Sequence, residues 1–153
     1  MCGIAGYVGD RESADVLVDA LSKLEYRGYD SAGIAVFDHG NIKVKKCKGR
    51  LANLVEKMDE EGKPQGHVGI GHTRWATHGV PSNENSHPHG NKRVTIVHNG
   101  IIENYKKLKD FLIGEGYSFA SETDTEVAAK LLDYYYDGDP MKTIAKVLSE
   151  IKG

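Results

Sequence analysis

A chain of 153 residues, 39% of them apolar, with a formal net charge of -2, has the size and composition of one globular domain with a core of its own. Its 20 basic and 22 acidic side chains nearly cancel, which leaves no strongly basic face for nucleic acid, and no apolar run approaches the length of a membrane span. Met1-Cys2-Gly3-Ile4-Ala5-Gly6 lacks the basic and apolar stretches of a secretory signal, and two cysteines are too few for a disulfide framework, so a cytoplasmic protein with free thiols is expected.

Residues 3–8 read as a short apolar strand. Residues 12–25 read as a helix in which Val16, Leu17, Ala20, Leu21 and Leu24 share one face. A polar, glycine-containing loop over 26–31 leads to a buried strand at 32–37. His39-Gly40-Asn41 then predicts a hairpin turn into a strand at 42–47, where Ile42 and Val44 alternate with lysines. Leu51, Leu54, Val55 and Met58 predict a helix over 50–60, and a further strand is expected at 68–72.

Residues 73–92 are rich in Gly, Asn, Ser, Pro and His; an irregular segment of that length in a compact domain is usually functional or disordered. A β-branched strand at 94–97 ends at Asn99-Gly100. Tyr105, Leu108, Phe111 and Leu112 predict an amphipathic helix closed near Gly114 or Gly116. Thr123-Asp124-Thr125-Glu126 has the pattern of a capping box and opens a helix that turns Val127, Leu131 and Leu132 inward. Asp139-Pro140 supplies a cap and an N1 proline to a last helix whose apolar face is Met141, Ile144, Val147, Leu148 and Ile151. Strands and helices mix without a steady βαβ rhythm, so the expected class is α+β with at least partly antiparallel sheets.

Cys2 has an option open only to a second residue. Removal of Met1 makes it terminal, and its α-amine, with a pKa of about 7.7–8.0 in model peptides, can then act as base for its own thiol. Position alone favours a small buried residue at a strand edge; the surrounding residues reverse that preference. Attack on an amide needs hydrogen-bond donors aimed at the developing oxyanion, and the Asn99 side chain with the Gly100 backbone N–H can supply them. Asn-Gly after a strand is equally a hairpin signal, and one tight turn can serve both ends.

An arginine suits the carboxylate of an amino-acid substrate and an aspartate its ammonium. Arg74 and Asp124 are the candidates, against the plainer readings of a solvated surface charge and an acid at a helix start. His72, His78, His87, His89 and His98 crowd between positions 72 and 98. No matching carboxylate or cysteine ligand set has metal spacing, so they are read as shaping a polar pocket and no metal is expected.

Four segments in register carry a family pattern: Cys2-Gly3-Ile4, Arg27-Gly28-Tyr29-Asp30-Ser31-Ala32-Gly33, Gly71-His72-Thr73-Arg74-Trp75-Ala76-Thr77-His78-Gly79 and His98-Asn99-Gly100. Together they resemble the N-terminal-nucleophile glutaminase domain of class II glutamine amidotransferases. The resemblance implies a four-layer αββα sandwich. It makes Cys2 nucleophile and base, Asn99 and Gly100 the oxyanion hole, and Arg74, Thr77 and His78 the clamp on the glutamine carboxylate. Asp124 becomes the partner of the ammonium, Trp75 part of a loop closing over the site, and Arg27 and His87 supporting residues. Tyr29, Trp75 and the Ala-Thr-His-Gly run resemble the branch that passes the nitrogen to fructose 6-phosphate. Amidophosphoribosyltransferases have Tyr after the equivalent Arg, and asparagine synthetases differ more. The implied picture is a single but incomplete glutaminase domain over 1–153, without a cofactor, that binds glutamine. It meets fructose 6-phosphate only through an isomerase domain this chain lacks, in a homodimeric full-length form. An amidophosphoribosyltransferase-like glutaminase, or a glutamine-binding fragment without turnover, are the alternatives.

Overall fold

Four antiparallel strands, β1 (Gly3–Val8), β2 (Ser31–Asp38), β3 (Asn41–Lys48) and β4 (Val68–Arg74), form one sheet in the order β1-β4-β2-β3. The computed structural model describes residues 2–76 and 79–153. The sheet buries Ala32, Ile34 and Val36 of β2 under two helices, α1 (Ser13–Ser22) and α2 (Leu51–Glu61). Ala14, Leu17 and Leu21 come from α1, and Leu51, Leu54 and Met58 from α2; each fully buried large side chain contributes about 1.5–3 kcal/mol. Helix α1 lies close to the sheet because β4 offers it Gly69 and Gly71, where a Cβ would stand 2.8 and 2.9 Å from Leu17 and Leu21. His39 and Gly40 both have positive φ in the tight β2–β3 turn, the geometry that matches hairpin twist.

Helix α1 stops at Ser22, three residues before the predicted end. The chain tightens into a 3₁₀ turn at Glu25–Arg27, and the Glu25 carboxylate accepts from the Leu51 backbone N–H at 2.9 Å. The side chain that would have extended α1 instead satisfies a free donor at the start of α2.

The second half is built on a short ribbon, β5 (His89–Gly90) paired antiparallel with β6 (Thr95–Ile96). It is backed by α3 (Tyr105–Gly114), α4 (Asp124–Tyr135) and α5 (Pro140–Glu150) around Ile102, Leu108, Leu112, Val127, Leu131 and Val147. His87 crosses the sheet face opposite α1 and α2, its carbonyl lying 2.1 Å from where a Cβ on Gly33 would sit. Helical layer, sheet, ribbon and helical layer follow in that order, an α+β arrangement with four layers.

Several local expectations change. The 94–97 strand shortens to two residues, and Asn99-Gly100 turns no hairpin: β6 pairs with the preceding β5, and the chain runs on to α3. The helix predicted from Thr123-Asp124-Thr125-Glu126 is present, but its capping box does not form. Glu126 accepts from the backbone of Ala120 and Ser121 at 3.0 and 2.7 Å, and the Thr123 hydroxyl is engaged with Ser121 and His89. Asp139 does cap α5, accepting from Met141 and Lys142. Phe111 lies on the rim against Tyr134 rather than inside. On α5 only Val147 of the expected apolar face is fully buried, while Met141, Ile144 and Leu148 are exposed.

Candidate active site

The pairing of Gly3 with Thr73 brings the start of β1 beside the end of β4. Cys2 therefore meets the first residue after β4: the Trp75 backbone N–H donates to its Sγ at 3.2 Å, and the thiol faces the Trp75 carbonyl at 3.5 Å. From the other half of the molecule, the Asn99 side-chain amide donates to the Cys2 carbonyl at 3.0 Å. These contacts form one wall of a cleft of about 360 Å³, at the small end of the range for ligand sites, roughly 300–1,000 Å³.

Gly100, Arg74, Trp75, Asp124, Arg27 and His87 also line this cleft, as do His98, Ile101, Thr123 and Thr125. All sequence-predicted site residues within the described part of the chain thus meet at one place. Thr77 and His78 lie outside the described residues, as does Met1.

Arg74 is only 3% exposed, which removes the surface-charge reading; one of its guanidinium nitrogens donates to the Gly79 carbonyl at 3.0 Å. Asp124 is buried as the first residue of α4 and accepts from the Ile102 N–H at 2.7 Å. The helix-start reading is correct, and the same placement holds a carboxylate at the cleft wall. A buried cation and a buried carboxylate in one cleft match the two charges of an amino acid's α end. Trp75 is 47% exposed at the mouth, edge-on to Tyr29. Arg27 extends over Tyr26, its Nε donating to the phenol at 2.9 Å.

Behind the cleft the imidazoles of His72 and His87 stack at 4.1 Å, and His89 meets His87 edge-on at 4.7 Å. Burial lowers the pKa of His72 to about 4 and that of His89 to about 3. His87 is driven further down by burial and by the neighbouring His72 and His89. All three are neutral at neutral pH. Among the described residues no group of three His, Cys, Asp or Glu side chains is placed to hold a metal, and no helix is long and apolar enough to cross a membrane.

The irregular segment before β5 is held by its own polar groups. Buried Asn85 donates to the Val80 carbonyl and the Glu122 carboxylate and accepts from the Glu122 N–H. Two contributors had no individual role assigned from the sequence. His72 accompanies Asn99, its Nε2 2.8 Å from Asn99 Oδ1. Asp30 accepts from the Ala76 N–H and the Ser31 hydroxyl, anchoring the stretch after β4. A signal for His72 existed: it alternates with Gly71 and Thr73 and so falls on the same face of β4 as Ile70, a polar residue at an inward position.

Residues 72–153, more than half of the chain, match a family model described as a glutamine amidotransferase domain. The glutamine–fructose-6-phosphate aminotransferase (isomerizing) of Clostridium tetani is 57% identical over an alignment spanning all of this chain and 25% of that protein. The enzyme of that name from Thermus thermophilus is 52% identical, again over the whole chain and 26% of the relative. The glutamine phosphoribosylpyrophosphate amidotransferase structure from B. subtilis superposes with a TM-score of 0.83 at 28% identity, covering all of this chain and 33% of that one. The chain spans about a quarter of the length of the curated relatives it matches.

Proposed function

The chain belongs to the glutamine amidotransferase domain family, and on that premise we propose that it hydrolyses the side-chain amide of glutamine through a thioester on Cys2. One observation carries the reading: Cys2, the Asn99 amide and Gly100 share a cleft with a buried Arg74 and a buried Asp124. In this reading they serve as nucleophile, oxyanion donors and a charge pair for the substrate's α end.

With Met1 removed, the Cys2 α-amine takes the thiol proton and the sulfur bonds to the amide carbon. The carbonyl oxygen becomes an oxyanion facing the Asn99 Nδ2–H and Gly100 N–H donors. Its collapse breaks the carbon–nitrogen bond. The α-ammonium protonates the departing nitrogen, which leaves as ammonia, and a γ-glutamyl thioester remains. Water then attacks the thioester and gives a proton to the same amine. The carbon–sulfur bond breaks, glutamate departs, and the thiol regains its proton. The residues present need no metal or organic cofactor for these steps.

The rest of the reading rests on the relatives' names and on the length they add. Residues 1–153 form one incomplete glutaminase domain of a longer, homodimeric cytoplasmic enzyme. Its isomerase domain receives the ammonia and aminates fructose 6-phosphate on the route to glucosamine 6-phosphate. The exposed apolar face of α5 supports the incompleteness. The test is release of glutamate and ammonia by the chain after Met1 removal. Cys2→Ala is expected to abolish release and still bind glutamine. Turnover by Cys2→Ala at the wild-type rate contradicts the proposal, and binding without turnover by the wild type makes the chain a glutamine-binding module instead.

A further inference from the structure

His72 is a buried polar side chain, 1% exposed, for which the proposed chemistry has no task. Its Nε2 lies 2.8 Å from Asn99 Oδ1, and Asn99 Nδ2 lies 3.0 Å from the Cys2 carbonyl. The two contacts determine each other. A carbonyl oxygen only accepts, so Asn99 must turn its NH₂ toward Cys2. Its Oδ1 then faces His72, and His72 must carry its proton on Nε2. With the amide reversed, two oxygens would face one another at the Cys2 end. The His72 ring is locked by face-to-face stacking on His87, with 14° between the planes. Burial keeps the imidazole neutral, its pKa lowered to about 4, which suits a donor beside buried Arg74.

We propose that His72 is a positioning residue for the oxyanion donor: its Nε2–H holds Asn99 Oδ1 and so keeps the Asn99 NH₂ aimed at Cys2 and at the carbonyl oxygen of the amide that Cys2 attacks. The inference rests on the glutaminase reading for its purpose, although the His72–Asn99 contact can be examined without it. Asn99 Nδ2 has two hydrogens; one serves the Cys2 carbonyl and the other is left for the oxyanion. A hydrogen bond accepted at Oδ1 also polarises the amide and strengthens donation from Nδ2. Because the oxyanion exists only along the reaction path, loss of this support lowers kcat and spares KM.

The test uses the chain after Met1 removal, with His72→Phe, which keeps a planar ring without the donor, and His72→Gln, which returns an N–H near the Nε2 position. Glutamate release is measured over a range of glutamine concentrations. His72→Phe is expected to lower kcat about 10- to 100-fold with KM within about twofold, and His72→Gln to recover most of the loss. The double variant His72→Phe/Asn99→Ala should be no slower than Asn99→Ala alone, because one residue acts through the other. Wild-type kcat in His72→Phe, no recovery by His72→Gln, or multiplied losses in the double variant overturns the proposal. Nitrogen-15 NMR of the labelled wild-type chain gives an answer that depends neither on turnover nor on the folding of any variant. His72 is expected as the neutral Nε2–H tautomer from neutral pH down to about pH 5. The Nδ1–H tautomer, or an imidazolium at neutral pH, refutes the arrangement. A wild type that shows the expected tautomer but releases no glutamate sinks the glutaminase reading and, with it, the catalytic purpose of the contact.

Discussion

Lowering the pH from 7 to 5.5 tests the buried cluster of His72, His87 and His89. In the folded chain His72 protonates only near pH 4, His89 only near 3 and His87 lower still, chiefly because they are buried. In the unfolded chain each protonates near 6.5. Their folded pKa values are depressed, so between the two values the unfolded state binds more protons and stability falls as the pH falls. The contribution is complete above the unfolded value and is lost progressively below it. One pH unit below the unfolded value, each group costs about 1.4 kcal/mol, and three together about 4 kcal/mol. That is comparable with the whole stability of many domains, about 5–15 kcal/mol. Urea unfolding followed by circular dichroism at pH 7, 6.5, 6 and 5.5 measures it directly. The midpoint is expected to fall steeply over this interval, and His89→Gln should remove about a third of the slope. A midpoint unchanged from pH 7 to pH 5.5 refutes the buried, neutral cluster.

Other substitutions test other joints of the structure. Asn99→Ala removes a proposed oxyanion donor and should lower kcat about 10²–10³-fold. It also strands the buried His72 N–H at a cost of about 1–3 kcal/mol in stability, read by thermal melting beside initial rates; an unchanged kcat contradicts the role. Asp124→Asn still accepts from the Ile102 N–H but loses the charge proposed to meet the substrate ammonium. KM for glutamine should therefore rise at least about tenfold, and an unchanged KM removes Asp124 from the binding site. Gly33→Ala places a Cβ 2.1 Å from the His87 carbonyl, so the segment leading into β5 must move off the sheet. A loss of about 1–3 kcal/mol is expected in a thermal melt, and a variant as stable as the wild type shows that the two layers do not touch there.

Much of the first half was legible because its signals are local. β2 is a run of small and β-branched residues bounded by turns, and α2 repeats Leu51, Leu54 and Met58 at helical spacing. The misses share a cause: a side chain with an obvious local use was taken by something distant. Glu25 caps α2 instead of extending α1, and Glu126 holds Ala120 and Ser121 instead of closing a box with Thr123. Asn99-Gly100 faces Cys2 and His72 across the molecule instead of turning a hairpin. On α5 the periodicity correctly marked the apolar face, yet periodicity does not say what covers it, and most of that face is exposed here.

The candidate site was legible for a related reason. Its residues sit in short runs whose glycines, arginine and asparagine have few other reasons to occur together, and the cleft gathers those runs. The task of His72 was missed because its partner is distant in sequence. Alternation along β4 puts it on the face of Ile70, but only tertiary packing brings Asn99 within 2.8 Å. Asp30 was passed over in the same way: it lies in a recognised run, but its acceptance from Ala76 is a contact between loops that no spacing announces.

The most direct measurement is an acid quench of the chain during turnover of glutamine, followed by mass spectrometry of the N-terminal peptide. One γ-glutamyl group is expected on the sulfur of Cys2, in a peptide that begins at Cys2 with a free α-amine. Turnover by chains that still carry Met1, or a γ-glutamyl group found on Cys47 instead, contradicts the account.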